Sequence, residues 1–160
     1  MKKLLKNPLV KNILSAVAVA IFGFILLNLT FLFDFIFQSV IRALVSLFIP
    51  LTPDTNLPLL PGLFHGSFVV VIGLISWLVF RSKLKVIYKA IYMTVPVAVV
   101  LATVGIFLYR WPIVSYSVGS LLCISALYYF YRTKQPWLYY YTVVLVGLTL
   151  AIFTLLGGEI

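Results

Sequence analysis

The chain has 160 residues, of which 64% are hydrophobic and only 9% are charged. A soluble domain of this length could not hide that much apolar surface, since about a quarter of an average chain is charged; the sequence excludes water as its only solvent. Its net charge of +9 comes from 12 Lys and Arg against three acids, Asp34, Asp54 and Glu159. These cations cluster in short links between apolar runs, which points to membrane topology and anionic headgroups and not to nucleic acid.

The first apolar run, at about 13–33, follows the basic stretch MKKLLKNPLVKN. A basic start and an apolar run suit a signal peptide. The run is too long for one, and its only A-x-A triplets, Ala16–Ala18 and Ala18–Ala20, lie at its beginning, so the reading is an uncleaved first span. Ala16, Ala20 and Gly23 give this span a narrow face for helix packing. Asn28 reads as a buried amide that needs a partner from another helix.

Residues 13 to 49 make 37 apolar-rich positions, interrupted by Asp34 and Arg42. As one straight helix they would reach about 55 Å, against a hydrocarbon layer of about 30 Å. Thr30, Asp34, Gln38, Arg42 and Ser46 recur every four residues, a polar stripe on an otherwise apolar helix. The expected arrangement ends the first span near Asp34 and lays an amphipathic helix, 35–49, on the outer interface. The second arrangement is a continuous long helix, bent or tilted. Either way the stripe faces protein or water, because a charge at the bilayer centre costs several kcal/mol.

The stretch 50–62 carries Pro50, Pro53, Pro58 and Pro61 and reads as an outer loop. A second span at about 64–80 opens with His65, the sole histidine. After the basic link 81–89 comes a third span at about 90–109. Pro96 inside it should kink the helix and free the carbonyl of Tyr92, with Thr94 placed to help satisfy the backbone. Thr103 and Thr149 can bond their own helices. The turn 109–112 leads to a fourth span at about 113–131, where Ser115, Gly119 and the single cysteine, Cys123, form a small-residue seam. A second basic link, 131–137, precedes a fifth span at about 138–156, closed by Gly157 and Gly158.

With the N-terminus in the cytoplasm, the inner segments collect Lys2, Lys3, Lys6, Lys11, Arg81, Lys83, Lys85, Lys89, Arg132 and Lys134. The outer side collects Arg42 and Arg110, a ratio of ten to two. Trp77, Trp111, Trp137 and the tyrosines at 128, 129, 131 and 139–141 fall near interfaces, as an aromatic belt requires. The fold expected is an all-α integral membrane protein. It is a single polytopic domain over 1–160, a five-helix transmembrane bundle with an amphipathic helix after the first span. It is expected in the cell (cytoplasmic) membrane, with its N-terminus in the cytoplasm and its C-terminus on the extracytoplasmic side.

Topology brings His65 to the depth of Asp34 and puts Gln38, Arg42 and Arg110 on the same outer side, as an outer-face polar cluster. A neutral imidazole beside a carboxylate can act as a base, so His65 and Asp34 are the catalytic candidates. The plain alternative is an interfacial histidine and a polar face that meet water. One His, one Cys and scattered acids do not make a metal site, and no nucleotide-binding or hydrolase motif occurs, so no metal or cofactor is expected. The leading function is a non-enzymatic module that binds lipid, a small ligand or another membrane protein. A transporter subunit and an outer-face enzyme acting on lipid through His65 and Asp34 are the alternatives. The partners expected are membrane lipids and a second membrane protein, with no nucleic acid.

Overall fold

The computed structural model describes residues 7–47 and 60–156. They form α1 (Pro8–Ser46), α2 (Leu60–Arg81), α3 (Val86–Phe107), α4 (Pro112–Arg132) and α5 (Trp137–Leu155), with no strand among the described residues. All five helices are long and apolar enough to cross a membrane. Their outward positions are apolar too, including Phe22, Phe24, Leu29, Leu74, Leu121 and Leu148. Such a surface is stable only against an apolar solvent.

Asn7 starts α1, its side chain accepting the Leu9 amide at 3.0 Å, with Pro8 at the first helical position. The helix then runs unbroken to Ser46, so the separate amphipathic helix expected at 35–49 is not present; residues 48 and 49 lie outside the described residues. The reason is local. A new helix starting after Asp34 would use that carboxylate to cap backbone amides. Asp34 instead accepts the Gln38 side chain at 2.9 Å, an i to i+4 bond that reinforces a continuing helix. No Gly or Pro follows Gly23 within α1 to break it. At 39 residues, α1 is about 58 Å long, well beyond one crossing.

The Pro-rich loop expected at 50–62 falls mostly outside the described residues, and Leu60–Gly62 already belong to α2. The basic link shortens to 82–85, where the Lys89 ammonium donates to the Phe80 carbonyl at 2.7 Å and satisfies the end of α2. α4 ends at Arg132, with Lys134 in the left-handed region (φ 50°) and the Gln135 amide bonded to the Phe130 carbonyl at 3.0 Å. This is the closure that usually employs glycine. α5 stops at Leu155, before the two glycines, which lie outside the described residues.

α3 is the hub, touching each of the other four helices. Its buried side includes Ala90, Thr94, Ala98 and Ala102, four small residues one turn apart. In lipid, helices gain little from apolar burial alone, and close backbone approach decides which faces meet. Gly23 of α1 meets this stripe so closely that a Cβ built on it would lie 2.5 Å from Thr94 Cγ2. Thr94 donates to the Ile91 carbonyl at 2.8 Å and lies 3.4 Å from the Gly23 carbonyl. It therefore does not serve the Tyr92 carbonyl freed by Pro96. Thr142 ties α5 to α3 through the Ala90 carbonyl at 3.2 Å, and Ser76 ties α2 to α3 through the Tyr92 hydroxyl at 3.1 Å.

Two apolar cores result. Val19, Ala90, Met93, Leu138, Tyr139 and Val143 pack at the end bearing the basic links, hereafter the basic end. Phe68, Ile72, Val95 and Val99 pack farther along, with Phe33 and Phe37 of α1 against Phe68 at ring separations of 6.1 and 5.9 Å. Tyr139 is thus a core residue and not part of an interfacial belt, whereas Trp77, Trp111 and Trp137 are exposed. Asn28 is also exposed and donates to the Phe24 carbonyl of its own helix at 2.8 Å, so it needs no partner helix.

Candidate functional site

The start of α2 and the end of α3 lie at one height because the two helices are antiparallel across a short link. That places His65 beside Thr103, with Nε2 3.0 Å from Oγ1. α1 passes the same level at Asp34, whose Oδ2 is 3.7 Å from His65 Nδ1. Gln38, one turn farther along α1, holds the other carboxylate oxygen. Of the five residues expected to cluster, Asp34, Gln38 and His65 come together. Thr103, expected only to bond its own helix, completes the group while still donating to the Val99 carbonyl at 2.6 Å.

Arg42 and Arg110 are not part of it. Arg42 is exposed two turns beyond Asp34, about 12 Å along the axis. Arg110 is exposed in the turn between α3 and α4, where Nε donates to the Tyr109 hydroxyl at 2.9 Å. His65 is only 8% exposed, so the cluster is a tie between three helices and not an open cleft. Among the described residues, no three His, Cys, Asp or Glu side chains gather closely enough to hold a metal ion.

Larger open spaces lie around α4. This helix has no fully buried residue, and it packs only on α3 and α5. The seam expected from the sequence sits at the contact. A Cβ on Gly119 would lie 3.6 Å from Leu101 Cδ2, and one on Gly147 would lie 3.3 Å from Cys123 Sγ. Rigid helices that cross at such a point diverge on either side of it, and each divergence leaves a crevice.

The crevice toward the basic end has a volume of about 660 Å³. Met93, Pro96, Val97, Val100, Leu122 and Ala126 supply apolar lining, while Lys89, Gln135 and Tyr129 line it near the basic links. The other, of about 1010 Å³, runs toward Tyr109, Ser115, Tyr116 and Thr154. The two meet at Leu101, Cys123 and Val143. Both volumes are near the range of about 300–1,000 Å³ typical of small-molecule sites. From Pro112 to Phe130, the reach along α4 is about 27 Å, close to the hydrocarbon thickness.

Sequence reasoning singled out the α4 seam and Pro96, whose kink is compatible with a ligand cavity, but did not place the spaces along α4. The available signal was the run of small residues Ser115, Gly119, Cys123 and Ala126 on the inward side of the fourth span, too slight to fill the volume between two neighbours. Family models, curated proteins and solved structures were each compared with the chain, and none matches.

Proposed function

We propose that the protein is a non-enzymatic membrane module that seats an anionic lipid in the crevice between α3, α4 and α5. The observation that carries this reading is the polarity of that crevice: a mostly apolar lining around about 660 Å³, with Lys89 and Gln135 in the lining beside the basic links. A lipid presents the matching pattern, an apolar chain ending in a polar headgroup. The Lys89 ammonium gives one N–H to Phe80 and has two left for a headgroup. Arg81, Lys83 and Lys85 in one link, and Arg132 and Lys134 in the other, add positive charge at the same end. Each basic group near a membrane surface favours an anionic lipid by about 1 kcal/mol.

In this reading the basic end faces the cytoplasm, following the positive-inside rule. The N-terminus is then cytoplasmic, the C-terminus extracytoplasmic and the protein a multi-pass resident of the cell membrane. Neither Asp34 nor His65 lines the crevice, so the binding role does not depend on them.

Native mass spectrometry tests the proposal on protein delipidated in detergent and then offered equal amounts of anionic and zwitterionic phospholipid. One anionic lipid per chain is expected to survive into the gas phase, in clear excess over the zwitterionic one. Retention of both in equal amounts, or of neither, would count against it.

A further inference from the structure

The larger crevice, of about 1010 Å³, differs from the one beside the basic links in the chemistry of its walls. Among the described residues that line it, none is Lys, Arg, His, Asp or Glu. Its oxygen-bearing side chains are all hydroxyls: Tyr109, Ser115, Tyr116, Ser120 and Thr154. Arg110 stays outside the lining, exposed, with Nε donating to the Tyr109 hydroxyl at 2.9 Å. Tyr109 accepts there and keeps its own proton to give.

A hydroxyl on a membrane helix normally folds back onto that helix, because hydrocarbon offers it no partner. Ser117 does so, donating to the Ile113 carbonyl at 2.8 Å, and Thr154 does so toward the Leu150 and Ala151 carbonyls at 3.0 Å. Of the other serines of α4, Ser115, Ser120 and Ser125 make no such bond among the described residues, and the first two line this crevice. They stand at different depths. Ser115 lies in the first turn of α4, and Ser120 lies about 12 Å along the axis from Pro112. The crevice therefore offers hydroxyl donors from the end at Pro112 to well inside the hydrocarbon. A phosphate drawn down to Ser120 would meet no cation in the lining, and an unpaired charge at that depth costs several kcal/mol. An uncharged oxygen costs far less there and accepts the hydrogen bonds that the serines have to give.

We propose that this crevice binds an uncharged lipid whose polar end carries carbonyl oxygens. That end lies between Ser115 and Ser120, and the chain runs on past Ile124 and Leu127. Diacylglycerols and isoprenoid quinones both supply this chemistry. The site is distinct from the one for anionic lipid and does not rest on it.

Native mass spectrometry tests this on the full chain, delipidated and offered a neutral lipid against an equal amount of phosphatidylcholine. Dioleoylglycerol in one arm and a decyl-substituted quinone in the other tell the two sources apart. One neutral lipid per chain is expected to be retained in clear excess over phosphatidylcholine in at least one arm. Ser115→Ala/Ser120→Ala removes both hydroxyls without adding bulk and is expected to cut that retention about tenfold. Val100→Trp, which fills the other crevice, is expected to leave it unchanged. If the double variant does not fold, Ile124→Trp takes its place; it fills this crevice from an exposed position and should cut retention by a similar factor. No excess over phosphatidylcholine in either arm overturns the proposal. So does retention that survives these changes along α4, or that is lost in Val100→Trp.

Discussion

Replacing Gly23 with leucine is expected to abolish assembly of the bundle, and replacing it with alanine to destabilise it by about 1–3 kcal/mol, the usual range for overpacking. The added Cβ would come 2.5 Å from Thr94 Cγ2 and 3.4 Å from both Thr94 Cβ and Oγ1. Thr94 cannot turn away easily. It is 2% exposed, β-branched and anchored through its hydroxyl to the Ile91 carbonyl. The strain therefore passes to α1, which must lift off α3 and take fully buried Val19 with it.

Thr94→Ser removes the offending methyl and keeps the hydroxyl. The double variant Gly23→Ala/Thr94→Ser should accordingly recover most of the stability lost in Gly23→Ala, a clear departure from additivity. Unfolding in mixed micelles, followed by tryptophan fluorescence, measures all four proteins. A Gly23→Ala variant as stable as wild type would show that α1 and α3 do not meet here.

The second large effect concerns the crevice. Val100 lines it from α3 and is 43% exposed, so a tryptophan there has room to lie along the apolar body without displacing the core. Val100→Trp is expected to cut retention of the anionic lipid at least tenfold in native mass spectrometry, with the unfolding midpoint little changed. Lys89→Gln should act more mildly, by about 1 kcal/mol or roughly fivefold, because it removes one of several cations at that end. Equal losses of anionic and zwitterionic lipid in Lys89→Gln would mean that its charge does not select the headgroup.

Five helices were legible because each apolar run is long enough to cross and each is bounded by proline or cations. The break after Asp34 was misread for the opposite reason. Period-four polarity looks the same on an interfacial helix and on a continuing one. Only the direction of the Asp34 carboxylate, toward Gln38 and not toward backbone amides, separates the two. Asp34 and His65 could be paired from topology alone, since depth follows from counting residues along antiparallel helices. Thr103 could not, because a threonine that bonds its own backbone gives no sign that it also receives a neighbour. The stripe of Ala90, Thr94, Ala98 and Ala102 was visible in principle, but it became meaningful only when Gly23 was seen opposite it. Arg42 and Arg110 share an end of the bundle with the cluster but neither its depth nor its direction, since Arg42 stands two turns beyond Asp34 and Arg110 lies in the turn after α3, both exposed.

Site-specific photo-crosslinking on α4 tests the binding of anionic lipid most directly. Leu122 lines the crevice, whereas Leu121 is 63% exposed, lines neither crevice and points about 100° away around the same helix. A benzophenone amino acid at each position, irradiated in native membranes, captures whatever lies against it. The account predicts adducts enriched in anionic lipid at 122 and adducts of bulk membrane composition at 121. The same lipid mixture at both positions would contradict it.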